Sequence, residues 1–108
     1  MRLVLSGNTQ LLHTLMVGID SRWPHVNVNQ CQLWFPEQAI EAGNAGASCK
    51  VGGAGLTTDN TDVWDIITEG DRKFLPTNGM MLNGVSLKST YVRGSAASTI
   101  LIVEPHIG

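Results

Sequence analysis

The sequence predicts an all-β protein: a small β-sandwich or jelly-roll-like barrel of about eight short strands, in a single domain. Its apolar stretches are short and rich in β-branched residues, which is typical of strands. Twelve glycines and four prolines separate these stretches, as the turns between many strands would require. A chain of 108 residues is long enough for one compact domain and too short for two of ordinary size.

The first part of the chain predicts two strands and a loop. Arg2–Leu5 is an apolar stretch that ends at a Ser-Gly-Asn turn. Residues 11–17 fit either a short helix or a strand, because their leucines satisfy both periods. Since the neighbouring segments are strands, we expect a strand there as well. Residues 20–24 form a loop, in which Pro24 favours an extended Trp23.

Residues 26–35 show the clearest alternation in the sequence. Val26 and Val28 share one face, whereas Cys31, Leu33 and Phe35 share the opposite parity. A change of parity at residues 29–30 is what a β-bulge would produce. Pro36 then ends this strand.

The middle of the chain predicts short strands joined by turns. Residues 37–42 have helix-forming composition but are too short for more than one helical turn, so we expect a loop. Strands are predicted at residues 47–51, 63–67 and 72–75. The dipeptides Asn78-Gly79 and Asn83-Gly84 indicate tight turns.

The closing half of the domain, residues 71–103, ends in the most apolar strand. Residues 99–103 are apolar at both parities, which predicts a strand buried on both faces, either beneath a loop or against another subunit. Residues 95–97 form the turn before it. We expect Pro105 to stop strand pairing beyond this segment.

Charge and composition disfavour two classes of partner. The formal net charge is −2 and the basic residues are scattered, so nucleic-acid binding is disfavoured. No apolar run approaches the roughly 20 residues that a membrane span needs. The two cysteines, Cys31 and Cys49, do not make a disulfide framework, so we expect buried free thiols in a protein made in a reducing cytosol. A single cross-strand disulfide is the alternative.

Motifs for catalysis, cofactors or metals are weak. Residues 52–55 are glycine-rich but lack the lysine and the following helix of a phosphate-binding loop, so a turn is expected. Asp59, Asp62 and Asp65 do not follow the register of a calcium loop. His13, His25 and His106 share no metal-ligand spacing. We therefore expect no catalytic residue, no cofactor and no metal, and a protein that is not an enzyme.

The three tryptophans are better candidates for a functional surface, because this residue type is enriched at interfaces. Trp23 precedes a proline in a loop and is expected near the surface. Trp34 lies on the minority face of its strand, and Trp64 lies within a strand. For Trp34 and Trp64 we expect positions in the core, with an exposed contact as the alternative for Trp34.

Three tracts resemble small β-sandwich structural proteins of tailed bacteriophages. The first is the glycine-rich loop and short strand at residues 44–52. The second is residues 70–82, where a glycine turn precedes Arg-Lys-Phe-Leu-Pro and Leu82. The third is residues 85–97, in which the sequence Tyr91-Val-Arg-Gly-Ser-Ala-Ala leads into the apolar last strand. The resemblance covers residues 26–103.

The resemblance implies a non-enzymatic virion protein that decorates or cements a capsid, or forms part of a neck, tail or fibre. Its partners would be other copies of itself, in a homo-oligomer, and the major capsid or other virion proteins, without nucleic acid or membrane. The candidate interface residues are Trp23, Trp34, Tyr91 and Ile107. The alternative function is a carbohydrate-binding β-sandwich module, which would need Trp23 and Trp34 exposed in one coplanar row.

Overall fold

The computed structural model describes residues 1–57, 60–76 and 84–107. Within them the chain forms ten strands, one α-helix (α1) and two 3-10 turns. The order is β1 (Arg2–Leu5), β2 (Gln10–Leu11), α1 (Leu12–Ile19), β3 (Asn27–Val28), β4 (Gln30–Trp34), a 3-10 turn (Ala42–Asn44), β5 (Ser48–Gly52), β6 (Val63–Thr68), β7 (Arg72–Leu75), β8 (Val85–Ser86), a 3-10 turn (Leu87–Ser89), β9 (Tyr91–Gly94) and β10 (Thr99–His106).

Two four-stranded antiparallel sheets dominate the fold. The first sheet has the order β1-β10-β4-β7, and the second has the order β2-β9-β5-β6. A short ladder joins β3 to β8. One hydrophobic cluster is formed by the inward residues of both sheets, including Leu3, Leu33 and Leu101 from the first and Val51 and Val92 from the second. The predicted all-β, sandwich-like architecture is confirmed.

Strand β10 occupies a central position because its sequence is apolar at both parities. Thr99, Leu101 and Val103 are fully buried on the core side. On the opposite face Ile100 is 4% exposed, and Ile102 is half-buried. The prediction of a strand buried on both faces is therefore confirmed at residues 99–101 and 103, whereas Ile102 is only half-buried.

A side chain, rather than a strand, completes one edge of β10. Strand β4 pairs with β10 only from Ile102 onward, since β4 ends at Trp34 and Pro36 follows. At Ile100 the amide N–H donates to Asn44 Oδ1 at 2.7 Å, and Asn44 Nδ2 donates to the Ile100 carbonyl at 3.0 Å. The same Nδ2 donates to the Pro36 carbonyl at 2.8 Å. Asn44 thus acts as a one-residue substitute for the missing strand.

The expected strand at residues 11–17 is wrong, because the chain forms α1 from Leu12 to Ile19. Leu12 and Met16 are fully buried, and Leu15 packs against the core. These three residues lie on one helix face at spacings of three and four. Burial of this face against the rest of the fold therefore favours the helical period over the alternating one.

The change of parity near residue 29 is confirmed, and its cause is a change of pairing partner. Val28 pairs with Val85 in the β3–β8 ladder, whereas Cys31 pairs with both β10 and β7. Val28 and Cys31 are both buried. The chain therefore turns its opposite parity inward as it passes from one ladder to the next.

The expectation that Pro105 stops pairing is wrong. Pro105 is paired with Cys31, and β10 continues to His106. The N–H of Val103, two residues earlier, points to the β1 side, where it donates to the Met1 carbonyl. Pro105 has the same parity, and β1 does not extend that far, so its missing N–H removes no ladder hydrogen bond.

Some of the predicted turns lie within the described residues, and others do not. Residues 52–55 form a turn between strands as predicted, and residues 37–44 form a loop with a 3-10 turn. Asn78-Gly79, Asn83, Leu82 and Asp59 lie outside the described residues. Within the described part of the chain, no helix has the length and apolar character needed to cross a membrane.

Candidate interaction surfaces

The outer face of the first sheet carries a tryptophan covered by an arginine. Ile102, Trp34 and Arg72 are register partners across β10, β4 and β7, so their side chains form a row. The Arg72 guanidinium carbon lies 4.2 Å from the centroid of the Trp34 ring. This is the geometry of a cation–π contact. Trp34 is half-buried on this outer face, so it is neither a core residue, as expected, nor a fully exposed contact residue.

A glutamine links the two charges on this face. With the Gln32 amide oriented to satisfy its neighbours, its oxygen accepts from Arg72 Nη1 at 3.1 Å and its nitrogen donates to Glu104 Oε2 at 3.2 Å. These side chains, with Trp34 and Ile102, surround a shallow cleft of about 160 Å³. The face is therefore held in a fixed arrangement by contacts between side chains of three strands, β4, β7 and β10.

Two large apolar side chains extend this surface. Val4 on β1 and Phe74 on β7 are each 51% exposed. Both share the outward parity of Trp34, since Gln32 pairs with Phe74 and Val4 pairs with Ile100. We call this surface the Trp34 face; it consists of Val4, Gln32, Trp34, Arg72, Phe74, Ile102 and Glu104. Exposed aromatic and aliphatic groups beside polar ones are typical of protein–protein contact surfaces.

The outer face of the second sheet also has apolar groups. Trp64 is 36% exposed and Ile66 is 41% exposed on β6, whereas the adjacent Ile67 is fully buried. The expectation that Trp64 belongs to the core is therefore wrong, because its parity on β6 is that of Ile66. Tyr91 on β9 has the outward parity of this sheet and is half-buried.

The edge strand β6 is protected against pairing by carboxylates. The Ile66 N–H donates to Asp65 Oδ1 at 2.9 Å. The N–H and hydroxyl of Thr68 both donate to Asp71 Oδ2, at 3.2 and 2.6 Å. The two Thr68 hydrogen bonds lower the pKa of Asp71 below its usual value. Occupied donors and acidic side chains discourage the addition of another strand at this edge.

The second sheet also forms a cleft, with a volume of about 450 Å³, that is larger than the cleft beside Trp34. Lys50 on β5 and Arg93 on β9 are direct register partners and both line it. The Arg93 Nη1 donates to the Thr9 hydroxyl at 3.0 Å, which orients the guanidinium. A basic cleft was not predicted, because Lys50 and Arg93 are far apart in sequence.

Trp23 lies in the loop after α1 and is half-buried against the hydrophobic core. Its ring makes an edge contact with His25, with centroids 5.1 Å apart. Its Nε1 is buried and has no hydrogen-bond partner in the described residues. Trp23 and Trp34 therefore do not form the fully exposed row that a carbohydrate platform would need.

The four predicted interface residues occupy separate positions. Trp34 lies on the outer face of the first sheet, and Tyr91 lies on that of the second. Trp23 lies beside α1, and Ile107 follows β10 with 54% of its surface exposed. Among them Trp34 alone is part of a surface with several exposed apolar neighbours, so it is the best supported of the four.

Asp62 and the two cysteines occupy structural positions in the described part of the chain. Asp62 Oδ2 accepts the Gly55 N–H at 3.0 Å and so belongs to the glycine turn. Among the described residues no group of three or more histidines, cysteines or acids is placed to hold a metal ion. Cys31 and Cys49 are free and fully buried, as predicted, and burial raises the pKa of each thiol to about 12.

No protein-family model, curated protein or solved structure matches this chain. The sequence contained a signal that Phe74 faces outward, because its parity on β7 is opposite to that of the buried Leu75. It contained no signal for the stacking of Arg72 on Trp34, because this contact depends on the register between β4 and β7.

Proposed function

We propose that the protein is a non-enzymatic structural component of bacteriophage particles, either a capsid decoration or cement protein or a neck or tail component. It acts through contacts with copies of itself and with neighbouring virion proteins. The observation that supports this proposal is the Trp34 face, an apolar outer surface held in place by Arg72, Gln32 and Glu104. The assignment to a phage particle rests on the sequence resemblance over residues 26–103.

The composition of the Trp34 face suits contact with a second copy of the chain. Val4 and Phe74 are half exposed, and burial of such a side chain contributes about 1–2 kcal/mol. Arg72 and Glu104 carry opposite charges on the same face. A two-fold axis through this face would place the Arg72 of each copy near the Glu104 carboxylate of the other copy. Opposite charges that meet in this way make an isologous interface self-complementary.

Substitution on this face tests the proposed contact. We expect Phe74→Ser to weaken self-association about tenfold or more, because the phenyl group would be a buried anchor in the interface. The matched control is Ile19→Ser, since Ile19 is 57% exposed on α1, outside the Trp34 face. Equal self-association of the two variants by sedimentation velocity would contradict the assignment of this face, provided that both retain their circular dichroism spectra.

The location in a particle needs a separate test. We expect mass spectrometry of purified phage particles from the source of this sequence to detect the chain in a fixed ratio to the major capsid protein. Recovery of the chain only in the soluble lysate, and never with particles, would contradict the virion proposal while leaving self-association unaffected.

A further inference from the structure

The larger cleft has a concentration of positive charge that the proposed function does not use. It lies on the second sheet, on the opposite side of the hydrophobic core from the Trp34 face. The Lys50 and Arg93 side chains are directly opposite each other across the β5–β9 ladder. The residues that line the cleft are Gly7, Ser48, Lys50, Arg93, Gly94 and Ser95.

Arg93 is half-buried, and its side-chain hydrogen bond is to the neutral hydroxyl of Thr9. Within the described residues no carboxylate lies within ion-pair distance of Arg93. An anion in the cleft would interact favourably with the Arg93 guanidinium.

The donors in the cleft are suited to a tetrahedral oxyanion. Arg93 has five N–H donors, of which Thr9 accepts one, so the fork remains able to bind two oxygens. The Ser95 hydroxyl oxygen accepts the Ser48 N–H at 2.9 Å, which leaves its hydrogen free to donate. Ser48 contributes a second hydroxyl. A phosphate group offers more acceptor oxygens than a carboxylate and can use this larger set of donors.

We infer that this cleft binds a phosphate group, as the free ion or as a phosphomonoester. Arg93 forms a bidentate contact with two phosphate oxygens, Lys50 supplies a second positive charge, and the hydroxyls of Ser48 and Ser95 donate to the remaining oxygens. The volume of about 450 Å³ is in the range of small-molecule pockets, so the organic part of a phosphomonoester fits beside the phosphate. This inference does not depend on the proposed function.

Titration calorimetry and amide NMR shifts, with inorganic phosphate, O-phosphoserine and acetate as ligands, test the site. We expect saturable phosphate binding with shifts centred on β5 and β9, and about tenfold weaker binding of acetate. Tighter binding of O-phosphoserine than of phosphate would assign the site to a phosphomonoester, and the reverse order would assign it to the free ion. Both orders support a phosphate site. Binding of acetate as tight as that of phosphate would overturn it.

Variants separate the cleft from general surface charge. We expect Arg93→Gln to weaken phosphate binding about tenfold or more, and Lys50→Gln to weaken it by a smaller factor. Arg93→Lys keeps the charge without the fork and should also bind more weakly. The control is Arg22→Gln, which removes an exposed cation paired with Asp20. Unchanged phosphate affinity in both folded Arg93 variants, or no saturable binding to the unmodified protein, would overturn the inference.

Discussion

Replacement of Asn44 by alanine removes the side chain that completes the edge of β10. Asn44 is fully buried, and its amide makes three hydrogen bonds to backbone groups of Ile100 and Pro36. Alanine leaves one N–H and two carbonyl groups without these partners in the interior. The variant therefore tests whether one side chain substitutes for the missing length of β4.

The expected effect follows from these three hydrogen bonds. A buried backbone group that loses its partner destabilises a protein by about 1–3 kcal/mol. With about 1 kcal/mol for each of the three groups, we expect Asn44→Ala to lower the free energy of unfolding by about 3 kcal/mol. For a domain of this size the loss corresponds to a fall in Tm of roughly 15 °C.

Urea unfolding followed by circular dichroism measures this loss. The matched control is Asn27→Ala, because Asn27 is exposed on β3 and its change should stay within about 0.5 kcal/mol. Asn44→Asp provides a second comparison, since a carboxylate in place of the amide would face the carbonyls of Pro36 and Ile100. We expect this variant to be less stable at pH 7 than at pH 4. A loss below about 1 kcal/mol for Asn44→Ala would refute the reasoning.

Two glycine substitutions should have opposite effects on stability. Gly52→Ala should destabilise the fold by more than about 1 kcal/mol, since an added Cβ would lie 2.0 Å from a backbone carbonyl oxygen. Gly18→Ala, with open space around it on α1, should stabilise the fold by about 0.5 kcal/mol, and equal effects of the two substitutions in thermal melts would contradict this reasoning. Cys31 and Cys49 should react with a thiol reagent at pH 8 only as fast as the protein unfolds, because the pKa of each buried thiol is about 12, so immediate labelling of the native protein would be inconsistent with their burial. For Asp71, whose folded-state pKa is lowered by its threonine neighbour, the stabilisation is present above the ordinary value of 3.8 and is lost as pH falls through the lower folded value; an NMR titration midpoint at or above 3.8 would contradict this.

Strands whose role is fixed by their own residues were predictable. The two-sided apolar pattern of β10 predicts a central strand, and the alternation in β4 predicts which residues face the core. The α1 segment was not predictable in this way, because its leucines satisfy both periods. Its conformation depends on the burial of Leu12 and Met16 against distant parts of the chain.

The residues of the candidate surfaces were harder to predict, because their roles depend on register. From the sequence Asn44 is part of a glycine-rich loop, whereas its hydrogen-bond partner Ile100 is 56 residues away in sequence. Trp34 was predictable as a candidate interface residue, but its contact with Arg72 depends on the pairing of β4 with β7. The pairing of Lys50 with Arg93 likewise depends on the β5–β9 register.

The solution mass of the unmodified protein, measured by light scattering over a wide concentration range, tests the proposed assembly role most directly. We expect a discrete closed oligomer, whose mass is a small multiple of 11.6 kDa and stays constant above its dissociation range. A mass of one chain at every concentration would contradict the proposal that copies associate through the Trp34 face.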